Sequence, residues 1–430
     1  MIAPAAVRFG HRSVFQPSEP AFWVFGAFIA YGIVRVAAAL LDLAGIASSA
    51  WALAGLLVVV YALPAFVLVY ELDLYEREPV SMMLGAFAWG GFAATALSLD
   101  ASAWTEVFTT VVGADAGARW SPVVVAPVLE EVLKGAGLVL LAAIARDEID
   151  DVMDGFVYGA VCGLGFAVVE DVVYFVATFG GSVGAIAEGF AARVLASGLY
   201  GHVLYTGLIG MALGFVVSRR EGVPTRRRVP IAIALCVLGI AGHALWNSPF
   251  LASLYPAAPV EGVEWVAVAT AAVVRAAPLA LVVVVAVALA HRRERRWLAN
   301  ALTVAARGDA LTPEDAAVLA VPGGRRRAVR AMRRRAGPTA ARLLARLHRE
   351  EITLAMLVSH AGGDARPLGG RAVEGRAVQA QRSRCRSLRL ALDAIPGAGT
   401  AVAHDLASSD RPGAGAWDPS RPGRPAGHGR

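Results

Sequence analysis

Long unbroken runs of apolar residues dominate the first two thirds of the chain, where a soluble helix would show apolar positions on one face only. Since about 20 apolar residues span a bilayer, eight membrane helices are predicted, over 21–43, 50–70, 80–99, 123–145, 155–179, 195–217, 229–250 and 263–290. Eight crossings return both termini to one side. Arg8 and Arg12, Arg77, Arg146, the group Arg219, Arg220, Arg226, Arg227 and Arg228, and then Arg292, Arg293, Arg295 and Arg296 fall on alternate loops. The opposite loops offer little beyond Arg119 and Arg193. Positive residues stay inside, so both termini are expected in the cytoplasm and the protein in the plasma membrane. The first twenty residues lack the apolar core and cleavage site of a signal peptide, so the first helix is expected to remain.

Composition agrees with the pattern: 57% hydrophobic, 17% charged and a mean hydropathy of +0.57 over 430 residues, against about a quarter charged in soluble domains. The expected fold is all-α, a polytopic membrane bundle of about eight helices with a small helical and disordered cytoplasmic tail. Its parts are a segment 1–20, a membrane domain 21–291, a basic helical appendage 292–360 and a disordered tail 361–430. The appendage has a helix start at Thr312, Pro313, Glu314 and Asp315. The tail is rich in Gly, Pro, Arg and Ser without an apolar face. The basic run GRRRAVRAMRRR next to a membrane domain points to anionic lipid headgroups or plain solvation rather than nucleic acid. Cys162, Cys236 and Cys385 are far apart and suggest neither disulfides nor a zinc site.

Polar residues inside the apolar segments change this picture. Pro127–Gly137 reads PVLEEVLKGAG, with Glu130, Glu131 and the only lysine, Lys134. Each charge at bilayer depth costs roughly 2.5–3.5 kcal/mol, so three together need partners and a reason. Lys134 follows Glu130 by four residues and Glu131 by three, within reach of either on a helix. A buried ion pair that only holds the bundle together would show the same spacing. The fifth segment holds Glu170 between Phe166 and Tyr174, the sixth His202, and the seventh His243 and Asn247 four residues apart.

Depth relates them. Glu130 is sixteen residues from Arg146, Glu170 sixteen from Asp154, His202 seventeen from Arg219 and His243 fifteen from Arg228. At helical rise all lie roughly 22–26 Å above the inner edge of the hydrocarbon core, a level in the outer half where a cavity open to the outer face is expected. Were the fourth helix to begin at Pro127, the glutamates would sit in its first turn, at the positive end of the helix dipole. Arg35 and Arg275 share the level; Arg275 is a candidate counter-ion, and Arg35 is expected to snorkel outward.

Glutamates around a wet pocket suit a general base acting on water, and histidines and asparagine suit oxyanion stabilisation or metal ligation. These are parts for amide hydrolysis by activated water, since the motifs place no serine or cysteine as nucleophile. No HExxH motif is present, so a metal stays open. Two other classes fit the same residues: a proton-coupled transporter with a carboxylate and histidine relay, and a non-catalytic scaffold. Transporters commonly repeat their halves, and here the polar motifs are confined to segments four to seven.

EEVLK at 130–134, FAVVED with Tyr174, the separate His202, and HALWN at 243–247 resemble the ordered motifs of the PrsW family of intramembrane proteases, grouped with the CAAX prenyl endopeptidases. The loop YELDLYEREP, Tyr70–Pro79, is similar as well. The resemblance covers about residues 20–290. It implies cleavage of single-span membrane proteins, with anti-sigma factors as the family's theme, and a divalent metal such as zinc as a possible cofactor. It also implies Glu130 and Glu131 as the essential acids and His202 and His243 as the essential histidines. Glu170 stands where the wider superfamily has histidine, which weakens a simple three-ligand metal set of His202, His243 and Glu170. The expected catalytic set is Glu130, Glu131, His202, His243 and Asn247, supported by Lys134, Glu170, Tyr174 and Arg275; which glutamate is the base is left open.

Overall fold

A computed structural model describes the chain except residues 1–12, 47–50, 74–77, 102, 146–147, 150, 178–181, 191–192, 195–200, 219–223, 249–263, 322, 363–370 and 399–430. The described residues are predominantly helical and contain no strand. They form two compact units, Met1–Glu294 and Arg295–Arg430.

The first unit is built from α1 (Pro20–Ile46), α2 (Trp51–Leu72), α3 (Val80–Ala88), a π-helical stretch (Trp89–Ala94), α4 (Thr95–Asp100), α5 (Ala103–Val112), α6 (Ala114–Ile144), α7 (Val152–Ala177), α8 (Val183–Phe190), α9 (His202–Val217), α10 (Thr225–Asn247) and α11 (Glu264–Ala305). The division between units falls within α11. Each of the eight predicted segments overlaps a helix. Among the described residues five stretches are long and apolar enough to cross a membrane: Pro20–Leu43, Leu53–Leu72, Val80–Asp100, Val152–Val176 and Arg226–Asn247. This is an all-α membrane bundle. Helix α9 is apolar but shorter, and α6 carries the two glutamates and the lysine.

Helix α7 is the centre. Of its apolar window 78% is buried, against 17% for α1 and α10. A helix apolar all round belongs inside a bundle when its neighbours can reach it, and glycines let them. A Cβ at Gly155 or Gly159 would run into the backbone of α9 at Gly210 and Thr206, and one at Gly163 into the His202 carbonyl. On another face Gly165 abuts Phe87 of α3, and Gly90 of the π-helical stretch abuts Cys162. Without hydrophobic drive between helices in lipid, such small-residue seams supply the packing.

That π-helical stretch also aims Trp89 at α6. Its indole Nε1–H donates to the Leu133 carbonyl at 3.0 Å, in the turn that holds the glutamates. The indole lies over Gly137, where a side chain would collide with it, and stacks on Phe25 at 5.1 Å. Helix α6 starts at Ala114 rather than at Pro127, so Glu130 and Glu131 lie mid-helix and the dipole of a first turn does not act on them. Arg35 pairs with Asp100 at 3.1 Å in a half-exposed position.

The second unit contains the end of α11, α12 (Pro313–Ala320), α13 (Gly324–Gly362) and α14 (Arg371–Asp393). The predicted start at Thr312 is present: its Oγ1 accepts the Asp315 N–H at 3.1 Å. Helix α13 is interrupted at Gly337, whose φ of +85° is open to glycine, just before Pro338. Residues 371–393, expected to have no regular fold, form a helix instead. Cys385 and Leu392 are buried with Met332, Leu344, Leu347 and Leu354, a long-range partnership that local composition does not reveal. Burial pushes the Cys385 thiol up to about 12, and nearby Glu351 adds to the effect. The thiol therefore stays neutral and serves as packing. In the basic run Arg326, Arg327, Arg330, Arg333 and Arg334 are exposed while Ala328 and Met332 face inward.

Candidate active site

Four helices bring the separated polar residues together. Lys134 and Glu131, one turn apart on α6, are both fully buried and joined at 2.6 Å. Glu131 Oε1 also accepts from His243 Nδ1 of α10 at 3.1 Å, and its Oε2 accepts from the Thr206 hydroxyl of α9 at 2.7 Å. Both oxygens are thus engaged. Lys134 Nζ also lies 2.9 Å from His202 Nδ1 and 4.0 Å above the Phe166 ring. An ammonium can only donate, so His202 Nδ1 is the acceptor. The ring's proton is then on Nε2, donated to Glu170 Oε2 at 2.9 Å.

Glu130 is arranged differently. Its Oε2 is buried with no hydrogen-bond partner among the described residues. It faces His243 Nε2 at 3.9 Å, His202 Nδ1 at 4.0 Å and Lys134 Nζ at 3.6 Å. Glu130, His202 and His243 also line a cavity of about 340 Å³, together with Glu170, Tyr174 and Asn247. Glu131 and Lys134 stand behind its wall. One turn of α6 therefore carries two glutamates with opposite surroundings, one saturated and one turned to the cavity.

Glu170 is held from the other side. Arg193 Nη2 donates to its Oε2 at 2.7 Å, and Arg193 Nε donates to Asp171 Oδ1 at 2.7 Å. The Tyr61 hydroxyl donates to Asp171 Oδ2 at 2.8 Å, and the guanidinium lies 3.9 Å over the Tyr174 ring. Arg193, read from the sequence only as a loop charge, is the cation of this wall; Asp171, beside Glu170, was passed over although it sits in the same motif. Thr206, four residues after His202, was also missed, and the spacing offered a signal. Tyr205 stacks on His243 at 4.9 Å and 11°. Asn247 shares the cavity wall, where its amide donates to the Pro122 carbonyl at 3.0 Å, tying α10 to α6. The side chain of Arg275 lies outside the described residues.

Glu130, His202 and His243 each offer one ligand atom within 4.8 Å of the others. One nitrogen of each histidine is tied to a carboxylate, Glu131 or Glu170, the arrangement that orients metal-binding imidazoles. His243 Nε2 turns to Glu130 Oε2, while His202 Nδ1 accepts from Lys134 and would exchange that bond for an ion. With an orphaned carboxylate oxygen between them, this donor set fits a divalent cation such as zinc. Glu170 is not part of that set, because its Oε2 is engaged by Arg193 and His202.

Carboxylates and imidazoles thus surround a cavity inside an apolar helical bundle. A family model described as PrsW family intramembrane metalloprotease matches residues 78–288, and through this stretch, α3 to most of α11, the chain is similar to that family. It is an intramembrane protease. Comparison with curated proteins and with solved structures finds no match.

Proposed function

We propose that the chain is an endopeptidase that hydrolyses peptide bonds of single-span, membrane-anchored proteins of the anti-sigma-factor kind. The observation that carries the mechanism is Glu130, which lines the cavity and whose buried Oε2 has no hydrogen bond and is flanked by His243 Nε2 and His202 Nδ1. Glu130 holds the attacking water and takes its proton, then returns it to the leaving amine. Glu131 is the fixed charge that orients His243 and Lys134, its own oxygens being saturated. His243 carries its proton on Nδ1 toward Glu131, so its Nε2 accepts from the water and positions it, and the Lys134 ammonium behind the wall adds positive potential where the tetrahedral oxyanion would develop. Asn247 anchors the mouth of the site. A divalent ion bound by Glu130, His202 and His243 would supply Lewis acidity and lower the proton affinity of water.

A transmembrane helix hides its peptide bonds in its own hydrogen bonds, so the substrate must unwind near a helix end. Placement of the site in the outer half of the bilayer, with both termini in the cytoplasm of a plasma-membrane protein, puts the cut near the outer surface. The exposed arginines of α13 fit contact with anionic lipid. The test is cleavage of a panel of single-span proteins by purified protein in liposomes, comparing wild type with folded Glu130→Gln and His243→Ala variants, with and without a chelator. Wild-type cleavage lost in both variants supports the reading; cleavage unchanged in Glu130→Gln sinks it. Cuts found consistently on the cytoplasmic side contradict the outer placement.

A further inference from the structure

The second unit holds a cluster that the protease chemistry does not use. His348 and Glu351, three residues apart on α13, share a face and are 1% and 0% exposed. Asp315, in the first turn of α12, faces them, with Oδ1 3.9 Å from His348 Nε2. Asp315, His348 and Glu351 each offer a ligand atom within 4.8 Å of the others.

Arg389 of α14 divides the oxygens of the two carboxylates. Its guanidinium bonds Asp315 Oδ2 and Glu351 Oε1, and Thr312 adds a second bond to Oδ2 at 2.7 Å. Asp315 Oδ1 is left facing His348. Glu351 Oε2 and His348 Nδ1 are buried with no hydrogen-bond partner among the described residues. Two carboxylates share one guanidinium, and unpaired buried polar atoms are costly. A cation answers both. We propose that the second unit binds a divalent first-row transition ion of the zinc class through Asp315, His348 and Glu351, with Arg389 and Thr312 as the groups that orient the carboxylates. The imidazole selects such an ion over magnesium or calcium. Ligand atoms on tetrahedral zinc stand about 3.3 Å apart, a rotamer adjustment from the observed spread. Bound there, the ion would fasten α12 to α13 and, through Arg389, hold α14 in place.

The test uses the full, untagged chain in detergent, carrying Glu130→Gln and His243→Ala so that the membrane cluster lacks two of its donors. After dialysis against buffered zinc, one zinc per chain is expected by mass spectrometry, with a rise in Tm over the zinc-free sample. Adding Glu351→Gln, or separately Asp315→Asn, should remove both the zinc and the rise while circular dichroism shows the helices intact. No bound zinc in the starting variant, or zinc that persists after both further substitutions, overturns the proposal.

Discussion

Replacing Lys134 by methionine isolates what the buried ion pair does. The ammonium sits 2.6 Å from Glu131 and neither side chain is exposed. Coulomb attraction at that distance, with an effective dielectric constant near 20, is about 6 kcal/mol. Much of it is offset by the cost of burying both charges, and removing one partner of such a pair typically costs about 3–5 kcal/mol. Glu131 keeps its bonds from Thr206 and His243, so a loss near the lower end, about 3 kcal/mol, is expected. The double replacement Glu131→Gln with Lys134→Met removes the stranded charge and should recover at least about 1 kcal/mol. The assay is unfolding in mixed micelles of rising SDS content, followed by circular dichroism, for wild type, both single variants and the double variant. Equal stability of Lys134→Met and wild type, or strictly additive single losses, refutes the argument. Lys134→Arg should not rescue, since the planar fork does not fit a place shaped for a compact ammonium against Phe166.

Glu130→Gln should abolish cleavage yet change stability in the same titration by less than about 1 kcal/mol, because its Oε2 has no hydrogen bond to lose; Glu131→Gln should lose more stability than Glu130→Gln. Arg193→Lys breaks the fork between Glu170 and Asp171, and kcat should fall about 10- to 100-fold with KM little changed, whereas an unchanged kcat would make Arg193 a packing residue only. Gly159→Ala puts a Cβ against the Thr206 carbonyl and should cost about 1–3 kcal/mol by overpacking, with cleavage lost as α9 moves His202; full activity would show that the seam does not position the site.

Much of this protein follows from local pattern alone. Apolar runs of membrane length dictate helices, because backbone groups in lipid must be satisfied within the segment, and all eight predicted segments overlap one. Charged residues inside those runs stand out for the same reason, which is how Glu130, Glu131, Lys134, Glu170, His202 and His243 were legible before any geometry. Three- and four-residue spacing put Lys134 within reach of either glutamate. Tertiary structure decided the rest. Glu130 and Glu131 are chemically alike and adjacent, and only the packing of α9 and α10 saturates one and turns the other to the cavity. Arg193 precedes the sixth apolar run in the sequence, and its pairing with Glu170 and Asp171 depends on a fold that no local period reports. Helix α14 looks polar and structureless by composition because its few apolar contacts, Cys385 and Leu392, find partners up to 60 residues earlier in α13. A sequence records which groups need partners; which partner each receives is settled where helices distant in the chain meet.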